Sequence, residues 1–439
     1  MIKHLVLLSL FTLSLSHDQH HCIHDKMEKP SPGSVKPTHV QYNKNVIPAK
    51  TINAELSKKM RSLEKTLNAG GQRKPIRIHT EYNFLDNDAD ANLLKNIKET
   101  YMPAAVCTWS STLSVNPVSS NLKFDRGCSS YWQVDGKPCA KFSDSPDMCG
   151  TEAIIASDWL NELTACTKQP GQECSTKSAG NGLPNTDYAI IVKATETQAC
   201  IDSPQTLGYA HACRYDQYDR PILGFINFCP TAMKNTDASS AISTAEHELA
   251  HALGFSSSSF PYMREADGTT PRTARGSDGL PPVTSTVCWN GQTQTNERPA
   301  GSTTITRSTS RGNPNAFTMV TPSVKAATAK HFGCNSAHGG ELENQPTGGG
   351  CTGSHWEQRL FDDELMAPIS GGSVSVLSSI TLSAFADMGW YTVNTSIAGD
   401  LGAFLFSLFL FSLFLSLSLF LFYKNLTYNF FKMYETYVI

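Results

Sequence analysis

Apolar residues recur in different rhythms along the chain, and each rhythm predicts a different element. Between residues 51 and 67, Ile52, Leu56, Met60, Leu63 and Leu67 return at three- and four-residue steps, which predicts one amphipathic helix. Strand-like segments begin after Lys74 with Pro75-Ile76-Arg77-Ile78. Ala189-Ile190-Ile191-Val192 and Ile222-Leu223-Gly224-Phe225-Ile226 are continuous apolar runs bounded by turn residues, so strands are expected there too. A helical stripe returns at Ala241, Ile242, Ala245, Leu249 and Ala252, with Ser239 or Ser240 placed to cap it and Gly254 to end it. Residues 256–316 are poor in large apolar groups and rich in Gly, Ser, Thr, Pro and Arg, which predicts a long surface insertion, tethered through Cys288, and not a second core. Its arginines (Arg272, Arg275, Arg298, Arg307 and Arg311) are expected to form a solvated face.

Both ends break these rhythms. Residues 1–16 combine a basic start, an apolar run from Leu5 to Leu15 and a Ser14-Leu15-Ser16 cleavage site, so a signal peptide cut after Ser16 is expected. Residues 401–423 are almost entirely Leu, Phe and Ser, long enough to span a bilayer. A glycolipid-anchor signal normally ends in its apolar stretch, but here a polar tail runs from Lys424 to Ile439. A single spanning helix fits better, although the three-residue monotony is also what a misread gene end looks like. Outside the cell, Asn394-Thr395-Ser396 is the one plausible N-glycosylation site.

Composition narrows the class. With 439 residues, 40% of them hydrophobic, the chain can bury a sizeable core as two or three domains or one elaborated one, and collagen-like, disordered and multi-span classes are excluded. A net charge of −3 gives no electrostatic case for nucleic acid or an anionic membrane surface as partner. The 13 cysteines include no C-x-x-C pair, and with an export signal they read as disulfides. Twelve lie between Cys107 and Cys351 and could close as six bridges, which leaves Cys22 with another job.

The chemistry is concentrated at His247-Glu248-Leu249-Ala250-His251. Residues four apart share a helix face, so both imidazoles can approach one metal ion. Neutral imidazoles suit zinc, two of them leave positions for a third ligand and a water, and Glu248 stands where it can accept the water's proton. In the extended H-E-x-x-H-x-x-G-x-x-H form the third ligand would sit at position 257, which is Ser257. Gly254 turns the chain away and argues for a more distant histidine; His331, His338 and His355 are the candidates.

Further motifs resemble those of the leishmanolysin family of metzincin proteases. Gly353-Ser354-His355-Trp356-Glu357-x-Arg359, then Asp363-Glu364-Leu365-Met366-Ala367-Pro368, is similar to that family's displaced third histidine and methionine turn. The likeness extends through Asn185-Thr186-Asp187-Tyr188, Gly224-Phe225-Ile226-Asn227, Thr244 to Phe255, His331-Phe332-Gly333-Cys334, Glu341 to Gln345 and Ala384-Phe385-x-Asp387-Met388-Gly389, covering roughly residues 75–392. The resemblance implies zinc ligands His247, His251 and His355, Glu248 as base and Met366 beneath the metal, with His331 and His338 in reserve. His21-Cys22-Ile23-His24-Asp25 is similar to the start of the family's propeptide, which implies that the Cys22 thiolate silences a zymogen by occupying the zinc. A free thiol or an intermolecular bridge is the alternative for Cys22. The chain departs from the family in a longer insertion before His355 and in the apolar run that follows soon after Trp390, where the family carries a further domain.

The fold expected is therefore α+β, of metzincin type: a twisted mixed sheet, an active-site helix and a C-terminal subdomain bearing the third histidine and the methionine turn. Expected boundaries are residues 1–16 signal peptide, 17–73 propeptide, 74–255 N-terminal catalytic subdomain, 256–316 insertion, 317–395 C-terminal subdomain and 401–423 membrane segment. The function expected is a zinc endopeptidase, one ion per chain, made as a zymogen and acting on protein or peptide substrates outside the cell or at its surface. A cell-surface adhesion protein on the same fold is the competing class, and an activating protease is an expected partner.

Overall fold

The computed structural model describes residues 22–27, 31–32, 34–42 and 73–83, then the chain through Leu401 apart from short breaks at 84, 86–88, 135, 289, 309–315, 348–349 and 370–374. The expected signal peptide, the 51–67 helix and the 401–423 segment beyond Leu401 lie outside the described residues. Among the described residues no helix is long and apolar enough to cross a membrane.

Four strands form the sheet that supports the site: β1 (Ile78–Glu81), β2 (Tyr188–Lys193), β3 (Gly208–Tyr215) and β4 (Pro221–Phe228), in the order β3-β4-β2-β1. The sheet is mixed. β2 runs parallel to both β1 and β4, and β3 pairs antiparallel with β4 as an edge. The continuous apolar runs predicted at 189–192 and 222–226 are central strands covered on both faces. Tyr188, Ile190 and Val192 enter the principal core, while Ala189 and Ile191 enter a second one beneath.

Four helices matter for the site: α1 (Met102–Thr112), α2 (Ala238–Ala252), α3 (Pro322–His331) and α4 (Ser379–Asp387). Helix α2 lies directly on β4, and Gly224 makes this approach possible. A Cβ there would meet the Tyr188 hydroxyl at 2.1 Å and the Ala252 Cβ at 3.1 Å. The Tyr188 hydroxyl uses the space to donate to the Ala252 carbonyl at 3.0 Å. Helix α1 holds the other side of α2, where the Trp109 indole N–H donates to the Glu246 carbonyl at 2.9 Å.

The third histidine comes from an antiparallel sheet of β5 (Ile305–Ser308), β6 (Ala316–Met319), β7 (Gly340–Thr347) and β8 (Gly350–Trp356), paired in that order. The architecture is α+β with a mixed sheet, as expected. Five disulfides form: Cys128–Cys139, Cys149–Cys213, Cys166–Cys174, Cys200–Cys229 and Cys288–Cys351. The expectation of six fails, because Cys107 and Cys334 are exposed and unbridged.

The segment 256–316 also differs from expectation. It is tethered through Cys288, to Cys351 on β8, but Phe260, Tyr262 and Met263 are buried in the principal core. Two of its arginines are not a solvated face. The Arg272 side chain is 6% exposed and pairs with Glu265, and Arg275, 12% exposed, joins Arg264 on the buried side of Asp219. Asp219 and the Asp387 carbonyl, both outside the window, help to bury these two arginines, a cause that local composition does not carry.

Candidate active site

Helix α2 begins at Asp237, not at Ser239 or Ser240. The Asp237 carboxylate accepts from the Ser239 and Ser240 backbone N–H groups at 2.9 and 3.1 Å, and the two serine hydroxyls, helped by these bonds, hold its pKa well below the ordinary carboxylate range. The two serines are donors to the cap. At the other end, Gly254 takes φ +116° and the Phe255 N–H closes back on the Ala250 carbonyl at 3.0 Å. That turn aims the Phe255 carbonyl at the helix it has just left.

His247 and His251 sit on one buried face of α2, and carbonyl oxygens fix the protonation of both rings. His247 Nδ1 lies 2.5 Å from the Leu365 carbonyl, and His251 Nδ1 lies 2.7 Å from the Phe255 carbonyl. A carbonyl can only accept, so each Nδ1 carries the proton and each Nε2 presents a lone pair. His355 arrives on β8 with Nδ1 3.1 Å from Glu343 and 3.5 Å from Asp25, again acceptors when ionised. The three Nε2 atoms converge: His251 Nε2 is 3.0 Å from that of His247 and 3.1 Å from that of His355.

Three lone pairs facing one another at this distance repel unless a cation lies among them. Zinc–imidazole bonds of about 2.1 Å in a tetrahedron would separate neighbouring ligand nitrogens by about 3.4 Å, so the donor set fits zinc after a few tenths of an ångström of adjustment. Burial, reinforced by His24, His247 and His355, drives the pKa of His251 well below its ordinary value, which keeps it neutral, as a metal ligand would have to be. For His355 burial also opposes charging, but Cys22 and the carboxylates of Asp25 and Glu343 outweigh it and raise the pKa. Carboxylates behind a ligand histidine fix the ring and raise its basicity.

Glu248 is fully buried beside this point. Cys22 completes the cluster, its sulfur 3.5 Å from His251 Nε2 and 3.6 Å from Glu248 Oε1. Its ligand atom and those of His247, His251 and His355 all lie within 4.8 Å of one another. Burial, with Glu248 adding, pushes the Cys22 thiol up to about 12, so a thiolate here calls for a cation's charge. His331 and His338 are not in the cluster. His331 is half-buried and packs on Phe332 and Phe361, and burial lowers its pKa.

Several residues escaped sequence reasoning. His24 stacks on His251 with centroids 3.9 Å apart and rings 8° from parallel. Its Nδ1 reaches the Ala210 carbonyl of edge strand β3 at 2.6 Å. Asp25 accepts from the Ser354 N–H at 2.7 Å and its hydroxyl at 2.5 Å. Glu364, fully buried, accepts from the Met366 N–H at 2.5 Å and from the Ser378 and Thr381 hydroxyls at 2.7 and 2.5 Å. It thereby fixes the turn whose Leu365 carbonyl meets His247, and the wholly buried Met366 accepts from the Trp356 N–H at 3.0 Å. An acidic residue directly before the Leu365-Met366 pair was the one available signal, and it looks like any surface glutamate in sequence.

The chain is similar over most of its length to known peptidases. The chain is 34% identical over 344 residues to a leishmanolysin-like peptidase of Caenorhabditis elegans, covering 74% of this chain and 50% of that protein. A leishmanolysin-like peptidase of Drosophila melanogaster is 33% identical over 339 residues, 75% of this chain and 49% of its own. The ciliated left-right organizer metallopeptidase of Xenopus laevis is 30% identical over 302 residues, 66% of this chain and 38% of its own. The chain spans about half the length of the curated relatives it matches first. Since the leishmanolysin family model itself matches residues 161–402, more than half of the chain and all three converging histidines, the chain belongs to the leishmanolysin family.

Proposed function

We propose that this chain is a zinc-dependent endopeptidase, made as a zymogen and acting on protein substrates outside the cell or at its surface. The observation that carries the reading is the convergence of three Nε2 lone pairs beside a buried glutamate. On it, His247, His251 and His355 hold the ion, and Met366 lies in the methionine turn beneath it. Zinc held there would acidify a water and polarise the scissile carbonyl. Glu248 takes the proton from the attacking water and returns it to the departing amine, so the peptide bond breaks with no net change at the carboxylate. Leu365, Phe255 and Glu343 keep the imidazoles in their acceptor form throughout. Edge strand β3, whose Ala210 carbonyl already accepts from His24, would align an extended substrate by strand addition.

Cys22 is proposed as the silencing ligand, supported by its position against His251 and Glu248. Five disulfides and the signal-like N-terminus support action in an oxidising compartment. The Glu248→Ala variant tests the chemistry. It should retain zinc, measured by elemental analysis, and lose casein cleavage by at least a hundredfold, the upper range of general-base contributions being about 10⁴. Unchanged cleavage would overturn the mechanism.

A further inference from the structure

A second stretch of the N-terminal segment is docked on residues outside the histidine cluster, and its pattern is that of a bound strand. Burial alternates strictly over five residues: Thr38 and Val40 are buried, His39 and Gln41 are exposed, and Tyr42 turns inward again. A period of two is what an extended peptide shows when one face is read by a surface. The main chain is held at nearly every step. The Thr38 N–H donates to the Tyr215 carbonyl at 2.7 Å, and the Ser119 N–H donates to the Gln41 carbonyl at 2.9 Å. The Gln217 amide grips Val40 at both ends, accepting from its N–H at 2.9 Å and donating to its carbonyl at 3.0 Å.

The side chain of Tyr42 supplies the specificity. Its hydroxyl donates to the Asp216 carboxylate and accepts from Arg220 Nη2 at 3.1 Å, and the guanidinium lies 5.8 Å from the ring centroid. Asp216 and Arg220 are 1% and 3% exposed, so this hydroxyl closes a buried ion pair. Beside the strand a cavity of about 410 Å³, lined by His39, Gln41, Val118, Asn121 and Asn161 among others, leaves the groove wider than its occupant.

We propose that the surface formed by Val118–Ser119 and Tyr215–Arg220 is a peptide-binding site independent of the metal centre, selective for an extended segment with a β-branched residue, an aliphatic and a tyrosine at alternate positions. Its occupant is this chain's own Thr38–Tyr42, which stays bound after the segment is cut from the body. The proposal rests on the reading of residues 17–73 as a pro-segment. Plug and anchor make that segment bivalent, so each end raises the effective concentration of the other. Severing the chain between Asn43 and Lys74 therefore releases nothing by itself, and full release needs loss of both attachments.

The test uses the full chain with a specific protease site introduced between Asn43 and Lys74. After cutting, native size exclusion with mass spectrometry follows the N-terminal piece. A Cys22→Ser, His24→Ala, Asp25→Ala background removes the attachments beside the histidine cluster, so retention there reads the groove alone. In that background the piece should remain associated, and Tyr42→Phe or Gln217→Ala should speed its release tenfold or more, the size expected for losing a hydrogen bond to a charged or bidentate partner. Added to the cut protein of that background, a synthetic 34–43 peptide should displace the retained piece, and its Tyr42→Phe version should need at least tenfold more to do so. Equal release rates across the variants, or equal displacement by the two peptides, would overturn the groove. Failure of the zymogen reading looks different: uncut Cys22→Ser precursor would be as inert towards casein as wild type while the groove results still hold.

Discussion

Gly254→Ala should weaken both the fold and the metal site through a single turn. The residue takes φ +116°, a region almost closed to side chains, and forcing alanine there costs about 1–3 kcal/mol. A Cβ at this position would lie 2.9 Å from Cζ3 of Trp390. That ring is 4% exposed and its N–H donates to the Tyr218 carbonyl at 3.0 Å, so retreat strains a hydrogen bond worth about 1 kcal/mol. The two effects together amount to about 2–4 kcal/mol. The next residue carries the carbonyl that fixes His251, so a shifted turn should also lower zinc affinity about tenfold or more. Urea unfolding of EDTA-treated protein, followed by tryptophan fluorescence, isolates the backbone effect from ligand stabilisation, and competition with a chromogenic chelator reads the affinity. An unchanged urea midpoint would refute the strain argument. A lowered midpoint with wild-type zinc affinity would instead refute the link through the Phe255 carbonyl.

Asp237→Ala should destabilise the protein by about 1 kcal/mol in the same urea assay, with Ser239→Ala and Ser240→Ala costing less, because the carboxylate is the cap and the hydroxyls are its donors. The folded pKa of Asp237 is depressed, so its stabilisation is complete above the ordinary value of 3.8 and is lost as the pH falls further. Wild type and Asp237→Asn should therefore converge only in strong acid, and a constant difference across that range would contradict the cap. Replacing both Cys288 and Cys351 by serine opens a loop of 63 residues, for which chain entropy sets an upper bound of about 4 kcal/mol. Thermal unfolding should show a lower midpoint, and limited proteolysis should cut faster near residues 284–297; wild-type behaviour in both would mean that the bridge tethers nothing.

What sequence reveals here divides by range. The active-site helix, the central strands at 189–192 and 222–226 and the two helical histidines were legible because periodicity and spacing are local. His355 needed the family resemblance, since 104 residues separate it from His251 and imidazole alone does not distinguish it from His331 or His338. Helix α2 was legible and its cap was not, because three residues of capping type within four positions (Asp237, Ser239 and Ser240) are equivalent until geometry selects one. Glu364 was invisible for a different reason. A buried carboxylate satisfied by a backbone N–H and two hydroxyls reads in sequence as a solvated charge, and its partners Ser378 and Thr381 lie beyond any local window. Arg272 and Arg275 misled in the same way. The pairing that failed, six bridges from twelve cysteines, assumed that parity fixes partners, whereas Cys107 and Cys334 show that position does.

The three imidazoles are aimed by acceptors from different parts of the chain: the backbone carbonyls of Leu365 in a turn and of Phe255 at the helix exit, and the carboxylates of Glu343 and Asp25. No one segment can assemble the lone pairs, which meet only where His355 of β8 reaches the two histidines of α2. On the pro-segment reading, Asp25 belongs to a piece that departs, and it does more than accompany Cys22. It ties that piece to Ser354, the neighbour of the third histidine, and it shares His355 Nδ1 with Glu343. Departure would then remove one of two acidic groups behind a ligand at the moment it clears the position in front. The imidazole's acceptor form would survive because Glu343 sits on β7, within the body of the protein, and is closer to Nδ1 than Asp25 is, at 3.1 against 3.5 Å. On that reading silencing and metal retention rest on separate residues, which is the arrangement an enzyme needs if it is to shed its inhibitor and keep its ion.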